Sequence, residues 1–147
     1  MRLKMKKTIF VHVISCLIGC LFSLGCFAQV AVVASSKSDI PNLTHDQVAA
    51  LYTGSSFVLP NGASVTLLDQ SDSNDARKQF YSKVTDKSPS QIKATWSRLT
   101  FSGKGTPPKE MANSAEVKKQ VTSNSGTIGY IEKSAVDSSV KVLYATD

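Results

Sequence analysis

Beyond residue 28 the sequence has no cysteine: Cys16, Cys20 and Cys26 all fall in the first 28 residues of a 147-residue chain. A domain spanning 29–147 is therefore without a disulfide, a reactive thiol or a thiolate metal site, and packing alone must hold it together. At about 119 residues it buries roughly two thirds of its unfolded surface, enough for one core and not for two. Histidine is nearly as scarce. His45 is the one histidine of that stretch, and it has no second His or Cys with which to complete a metal site or a nucleophile–base pair. No catalytic residue, metal or cofactor is expected, and the chain does not read as an enzyme. Excess positive charge is also missing. Of 17 Lys and Arg, four (Arg2, Lys4, Lys6 and Lys7) open the chain, so from residue 29 on the remaining 13 face 11 Asp and Glu, a net of +2. That is too little for a dense basic face, which excludes nucleic acid as a partner.

What precedes residue 29 has the layout of an export signal. A basic start, Met1 to Lys7, leads into an apolar stretch, Thr8 to Leu24, and then Cys26-Phe27-Ala28 with small-residue positions before Gln29. Cleavage after Ala28 is expected, leaving one domain over 29–147. An apolar stretch of about 17 residues is marginal for spanning a ~30 Å hydrocarbon core. The alternative is Leu17-Ile18-Gly19-Cys20, which resembles a lipobox and would leave Cys20 as the lipidated first residue of an anchored protein.

Val30 to Ala34 is β-branched and apolar on both faces, and reads as a buried strand running parallel to its neighbours. Thr44 and Gln47 form a capping box, Leu43 and Val48 a hydrophobic staple, and Gly54 a left-handed stop for the helix between them. Pro60-Asn61-Gly62 signals a turn, with Asn-Gly tolerating positive φ at both positions. Val65 to Leu68 reads as a second buried strand, followed by a polar loop, Asp69 to Asn74. A helix is expected over 75–84, with Ala76, Phe80 and Val84 facing inward. Ser88-Pro89-Ser90-Gln91 starts another, burying Ile92, Trp96 and Leu99. Phe101 to Pro108, with two glycines and two prolines, reads as a loop. Asn113 and Glu116 cap a further helix, with Val117 and Val121 inward. Thr127–Ile131 and Val140–Tyr144 read as strands. The order β-α-β-α-α-α-β-β implies an α/β domain with a mixed sheet.

One segment suits binding. Gln70 to Arg77 follows a strand and opens a helix, where free amides and the helix dipole attract an anion. Ser71, Ser73 and Asn74 add short donors, and Arg77 adds a cation in the first turn. The competing reading is a well-capped helix with a solvated arginine. Asp69, Asp72 and Asp75, spaced by three, read as helix-favouring acids rather than a calcium loop, which needs more ligands.

These segments together resemble the periplasmic phosphate-binding proteins of ABC transporters, in their short single-lobe form. The resemblance rests on Val30–Ala34, Leu43-Thr44-His45-Asp46-Gln47-Val48, Leu51-Tyr52-Thr53-Gly54, Pro60-Asn61-Gly62, Trp96 to Gly105, Pro107-Pro108-Lys109-Glu110 and Gly126-Thr127-Ile128-Gly129-Tyr130. It implies one lobe of a type II periplasmic-binding-protein fold, a mixed sheet flanked by helices. It also implies a periplasmic substrate-binding module for phosphate or a related small oxyanion, serving a membrane ABC transporter. The implied ligand residues are Ser71, Asp72, Ser73, Asn74, Asp75 and Arg77. The family's Arg-x-Asp-x-Ser-Gly-Thr loop falls on Gln70, Asp72 and Asn74-Asp75-Ala76, so its arginine is replaced, and Arg77 is placed to substitute. A single arginine near ~2 kcal/mol and three donors near ~1 each, set against an association cost of at least ~4 kcal/mol, leave an open half-site no tighter than millimolar. Tighter binding needs a second wall from a homodimer or partner. The alternative is a periplasmic interaction protein that kept the lobe and a vestigial ligand site.

Overall fold

The structure, a computed structural model, describes residues 29–147; the export signal and the Cys20 alternative lie outside the described residues. Its elements are β1 (Val30–Ser35), α1 (His45–Tyr52), β2 (Thr66–Gln70), α2 (Asp75–Thr85), α3 (Pro89–Phe101), β3 (Lys109–Met111), α4 (Ser114–Ser123), β4 (Thr127–Glu132) and β5 (Val140–Ala145). The five strands form one mixed sheet in the order β3-β2-β4-β1-β5. The expected α/β architecture with a mixed sheet is what the chain adopts.

Local signals set the helix ends. Thr44 and Ser88 each complete a capping box, with Gln47 and Gln91 returning the bond to the cap backbone. Asn113 accepts from the Glu116 amide at 3.0 Å to start α4. Gly54, at φ +71°, follows α1, and a Cβ there would meet Leu99 Cδ1 at 2.4 Å. In the Asn61-Gly62 turn only Gly62 takes positive φ.

Strand alternation divides the core between two faces. Val30, Val32 and Ala34 of β1 point to the face covered by α1, α2 and α3, together with Tyr52, Phe80, Trp96 and Tyr130. Ala31 and Val33 point to the other face, packed with Leu68, Ile131 and α4's Val117 and Val121. At Gly129 a Cβ would lie 2.4 Å from Val117 Cγ1, so the absent side chain lets α4 settle close on β4.

Three details differ from the sequence reading. β1 is antiparallel to both β4 and β5, not parallel; burial on both faces, which its composition signals, says nothing of strand direction. β2 runs through Asp69 and Gln70 instead of giving way to the loop at Asp69, because both side chains find buried partners at the end of the strand. The third is β3, three residues paired parallel to β2 at the sheet edge, too short and too polar for an alternating pattern to show. The far end of the sheet is closed by Thr146, whose amide donates to Val30 O at 2.9 Å while its Oγ1 accepts from Val30 N at 3.0 Å. No helix among the described residues is long and apolar enough to cross a membrane.

Candidate functional site

The end of β2 places Asp69 on the face covered by α2, almost out of solvent at 8 % exposure. An isolated carboxylate there would be costly, and it is met by donors from three elements. Arg77 Nε of α2 lies 3.2 and 3.3 Å from its two oxygens. Tyr81 OH donates at 2.8 Å, and Tyr130 OH of β4 donates to the other oxygen. The Gln70 amide donates to the same carboxylate at 2.7 Å. Burial, then the Asp69 charge, pushes the Tyr81 and Tyr130 hydroxyls well above their ordinary range, so both stay protonated donors. Burial works most strongly against the Arg77 charge, but Asp69 together with the neighbouring Tyr81 and Tyr130 outweighs it and the pKa is raised. The guanidinium also lies over the Tyr81 ring, 4.9 Å from its centroid.

Arg77 is therefore not a solvated arginine. Its side chain is only 8 % exposed. The outer end faces Asp72, with Nη1 at 2.9 Å from Oδ1, yet that N–H is not aligned on the oxygen and Nη1 makes no hydrogen bond. Lys93 of α3 approaches the other Asp72 oxygen at 3.6 Å. Asp72, on an exposed turn, thus bridges two cations from two helices.

The turn itself is held by short local bonds. The Ser71 amide donates to Met111 O at 3.0 Å and the Asn74 amide to Ser71 O at 2.9 Å. Asn74, the cap of α2, accepts from the Ala76 amide; the first-turn amides of Asp75 and Arg77 have no intrahelical partner. Ser71 and Ser73 hydroxyls lie 3.3 Å apart, and Asp75 pairs outward with Lys78 at 3.1 Å.

Beside this corner opens a cleft of about 640 Å³. Of the six residues expected at the site, the structure brings Asp72 and Arg77 together in its wall; Ser71, Ser73, Asn74 and Asp75 sit on the turn and helix start beside it. Sequence reasoning missed Lys93, Glu110 and Trp96 as neighbours of the loop, and read Asp69 as a helix-end acid. The cleft's remaining wall is Ile92, Ser97, Thr100, Phe101, Pro107 and Pro108. A polar residue continuing an apolar strand, as Asp69 does after Leu67-Leu68, was the one available signal; nothing in α3's local pattern marks Lys93. Among the described residues no group of three His, Cys, Asp or Glu could hold a metal, the acids instead facing Arg77, Lys78 and Lys93.

This architecture is a periplasmic-binding-protein type fold. It is similar to a protein of Clostridium perfringens described as a phosphate ABC transporter substrate-binding protein, solved with bound phosphate: TM-score 0.63, 21 % identity, 80 % of this chain and 45 % of that one. An ABC-type phosphate transport receptor from Vibrio cholerae gives TM-score 0.60 and 21 % identity, over 80 % of this chain and 47 % of that one. PstS from Borrelia burgdorferi gives 0.56 and 14 %, over 79 % and 47 %. The chain spans less than half the length of these structures. No protein-family model and no curated protein sequence matches it.

Proposed function

We propose that the chain is an exported, non-enzymatic binding module. It takes phosphate or a related small oxyanion where Asp72, Arg77 and Lys93 meet, and serves a membrane ABC transporter from the periplasm. One observation supports the reading: a guanidinium more than nine-tenths buried stands in the wall of an open cleft, its Nη1 covered by the exposed Asp72 carboxylate at 2.9 Å without an aligned hydrogen bond. A buried, already desolvated cation gains more from an anion than an exposed one does. Asp69 fixes the guanidinium from behind, so little side-chain entropy is lost on binding. Ser71, Ser73, Asn74 and the amides of Asp75 and Arg77 supply neutral donors at the start of α2, and Asp72 swings outward to make room. The fold's likeness to phosphate-binding structures supports the ligand class.

Titration with inorganic phosphate, followed by heat and by the fluorescence of Trp96, is expected to saturate in the millimolar range. Absence of any response up to tens of millimolar rejects the reading. A second reading, an interaction module with a vestigial site and a homodimer or partner across the cleft, is favoured by Phe101, 97 % exposed on the rim, and by Asp69 and Asp72 already pairing Arg77. It predicts a concentration-dependent mass that Phe101→Ala abolishes, with phosphate inert throughout.

A further inference from the structure

Glu110 has a position that the oxyanion reading leaves unused. It lies on β3 directly across from Asp69 in parallel register, so both side chains project from the same face of the sheet about 4.8 Å apart at the backbone. Both line the cleft. Asp69 is surrounded by donors; Glu110 is exposed and has no ion pair or side-chain hydrogen bond among the described residues. The charged lining comprises Asp69, Asp72 and Glu110 against Arg77 and Lys93, a net of one negative charge. A purely anionic guest leaves Glu110, the one carboxylate of that lining without a cation among the described residues, unanswered. The cleft is also several times larger than a bare oxyanion requires, within the usual range for a multi-atom ligand, and Trp96 and Phe101 add aromatic side chains to the same lining.

Resting on the oxyanion reading, we infer that the guest is a zwitterion, a small oxyanion joined by a short linker to an ammonium group, with the oxyanion at Arg77 and Lys93 and the ammonium at Glu110. Glu110 is then a specificity-determining residue that selects aminoalkyl phosphates or similar esters over inorganic anions.

The test compares 2-aminoethyl phosphate, ethyl phosphate and inorganic phosphate on the full chain and on Glu110→Gln. Work near pH ~8 leaves both esters dianionic at the phosphate. Trp96 is the chain's single tryptophan and gives the readout, with calorimetry as its check. The ammonium ester is expected to bind about fivefold tighter than ethyl phosphate, the size of one well-placed exposed ion pair. In Glu110→Gln that ratio falls to about one while inorganic phosphate binds no more weakly. Equal binding of the two esters by the unaltered protein, with phosphate still bound, overturns this inference and leaves the oxyanion reading standing. A preference that survives in Glu110→Gln overturns the assignment to Glu110. Failure of all three ligands overturns the oxyanion reading and the inference together.

Discussion

Asp72→Asn should tighten phosphate binding. The Asp72 carboxylate stands where an anionic ligand would meet the cations, 2.9 Å from Arg77 Nη1 and 3.6 Å from Lys93 Nζ. Phosphate must displace it and then tolerate its charge nearby. Two unit charges ~4 Å apart interact by about 4 kcal/mol at an effective dielectric constant near 20. Asp72 is 60 % exposed and Lys93 73 %, so water screens most of that, and each pair is reduced to about 0.2–1 kcal/mol. Their sum, about 0.4–2 kcal/mol with a midpoint of ~1.2, is at that midpoint a roughly eightfold gain in affinity. Asparagine keeps the shape and its own capacity to donate to an oxyanion. Calorimetric titration of Asp72→Asn against phosphate, with Asp75→Asn as the comparison, isolates the effect. Asp75 carries the same charge at the same helix start but among the described residues pairs only with Lys78, so its variant should change affinity less than about twofold. Weaker binding by Asp72→Asn, or equal gains in the two variants, refutes the idea that this carboxylate competes with the ligand.

Three further outcomes follow from the packing. Asp69→Asn leaves Arg77 buried beside a neutral partner, and should cost roughly 3–5 kcal/mol in urea denaturation; a loss below about 1 kcal/mol would show that Tyr81 and Tyr130 alone hold the corner. Gly129→Ala drives a methyl into Val117 Cγ1 and should destabilise by roughly 1–3 kcal/mol, measured the same way. His45 has its pKa raised, first by the hydrogen bond with Asp46 and then by the Lys83 carbonyl. Its stabilising contribution is therefore full below about pH 6.5 and lost as pH rises through the folded value. At 43 % side-chain exposure the effect is small and weakened by salt. His45→Gln should flatten the difference between denaturation midpoints near pH ~5.5 and ~8, and an unchanged difference counts against the assignment.

What the sequence displays is what its residues decide with near neighbours. The Thr44 and Ser88 capping boxes, the Asn113 cap and the Gly54 stop each involve residues within a few positions of one another, and all appear where the pattern places them. The antiparallel setting of β1 was illegible because Val30 to Ala34 is buried on both faces whichever way its neighbours run. The candidate site was half legible. Asp72 and Arg77 could be nominated from the polar turn at a helix start, but Arg77's burial depends on Asp69 eight residues earlier and on Tyr130 of a strand some fifty residues later. Lys93 and Glu110 reach the cleft through the packing of α3 on α2 and the pairing of β3 with β2, contacts that no local spacing encodes.

The clasp between Val30 and Thr146 sits beside β5, at the opposite border of the sheet from β3 and the cleft. Residues 30 and 146 could therefore be sewn together by a brief glycine-serine bridge, and the ring reopened at the exposed Asn61-Gly62 bend, which touches the short bridge of Val58 with Ser64 but none of the pairings of the five-stranded sheet. A circularly permuted protein built this way would carry its new free ends on that bend. Attached to a surface through them, it would keep β1 and β5 stitched while the Glu110 border stayed open to solution.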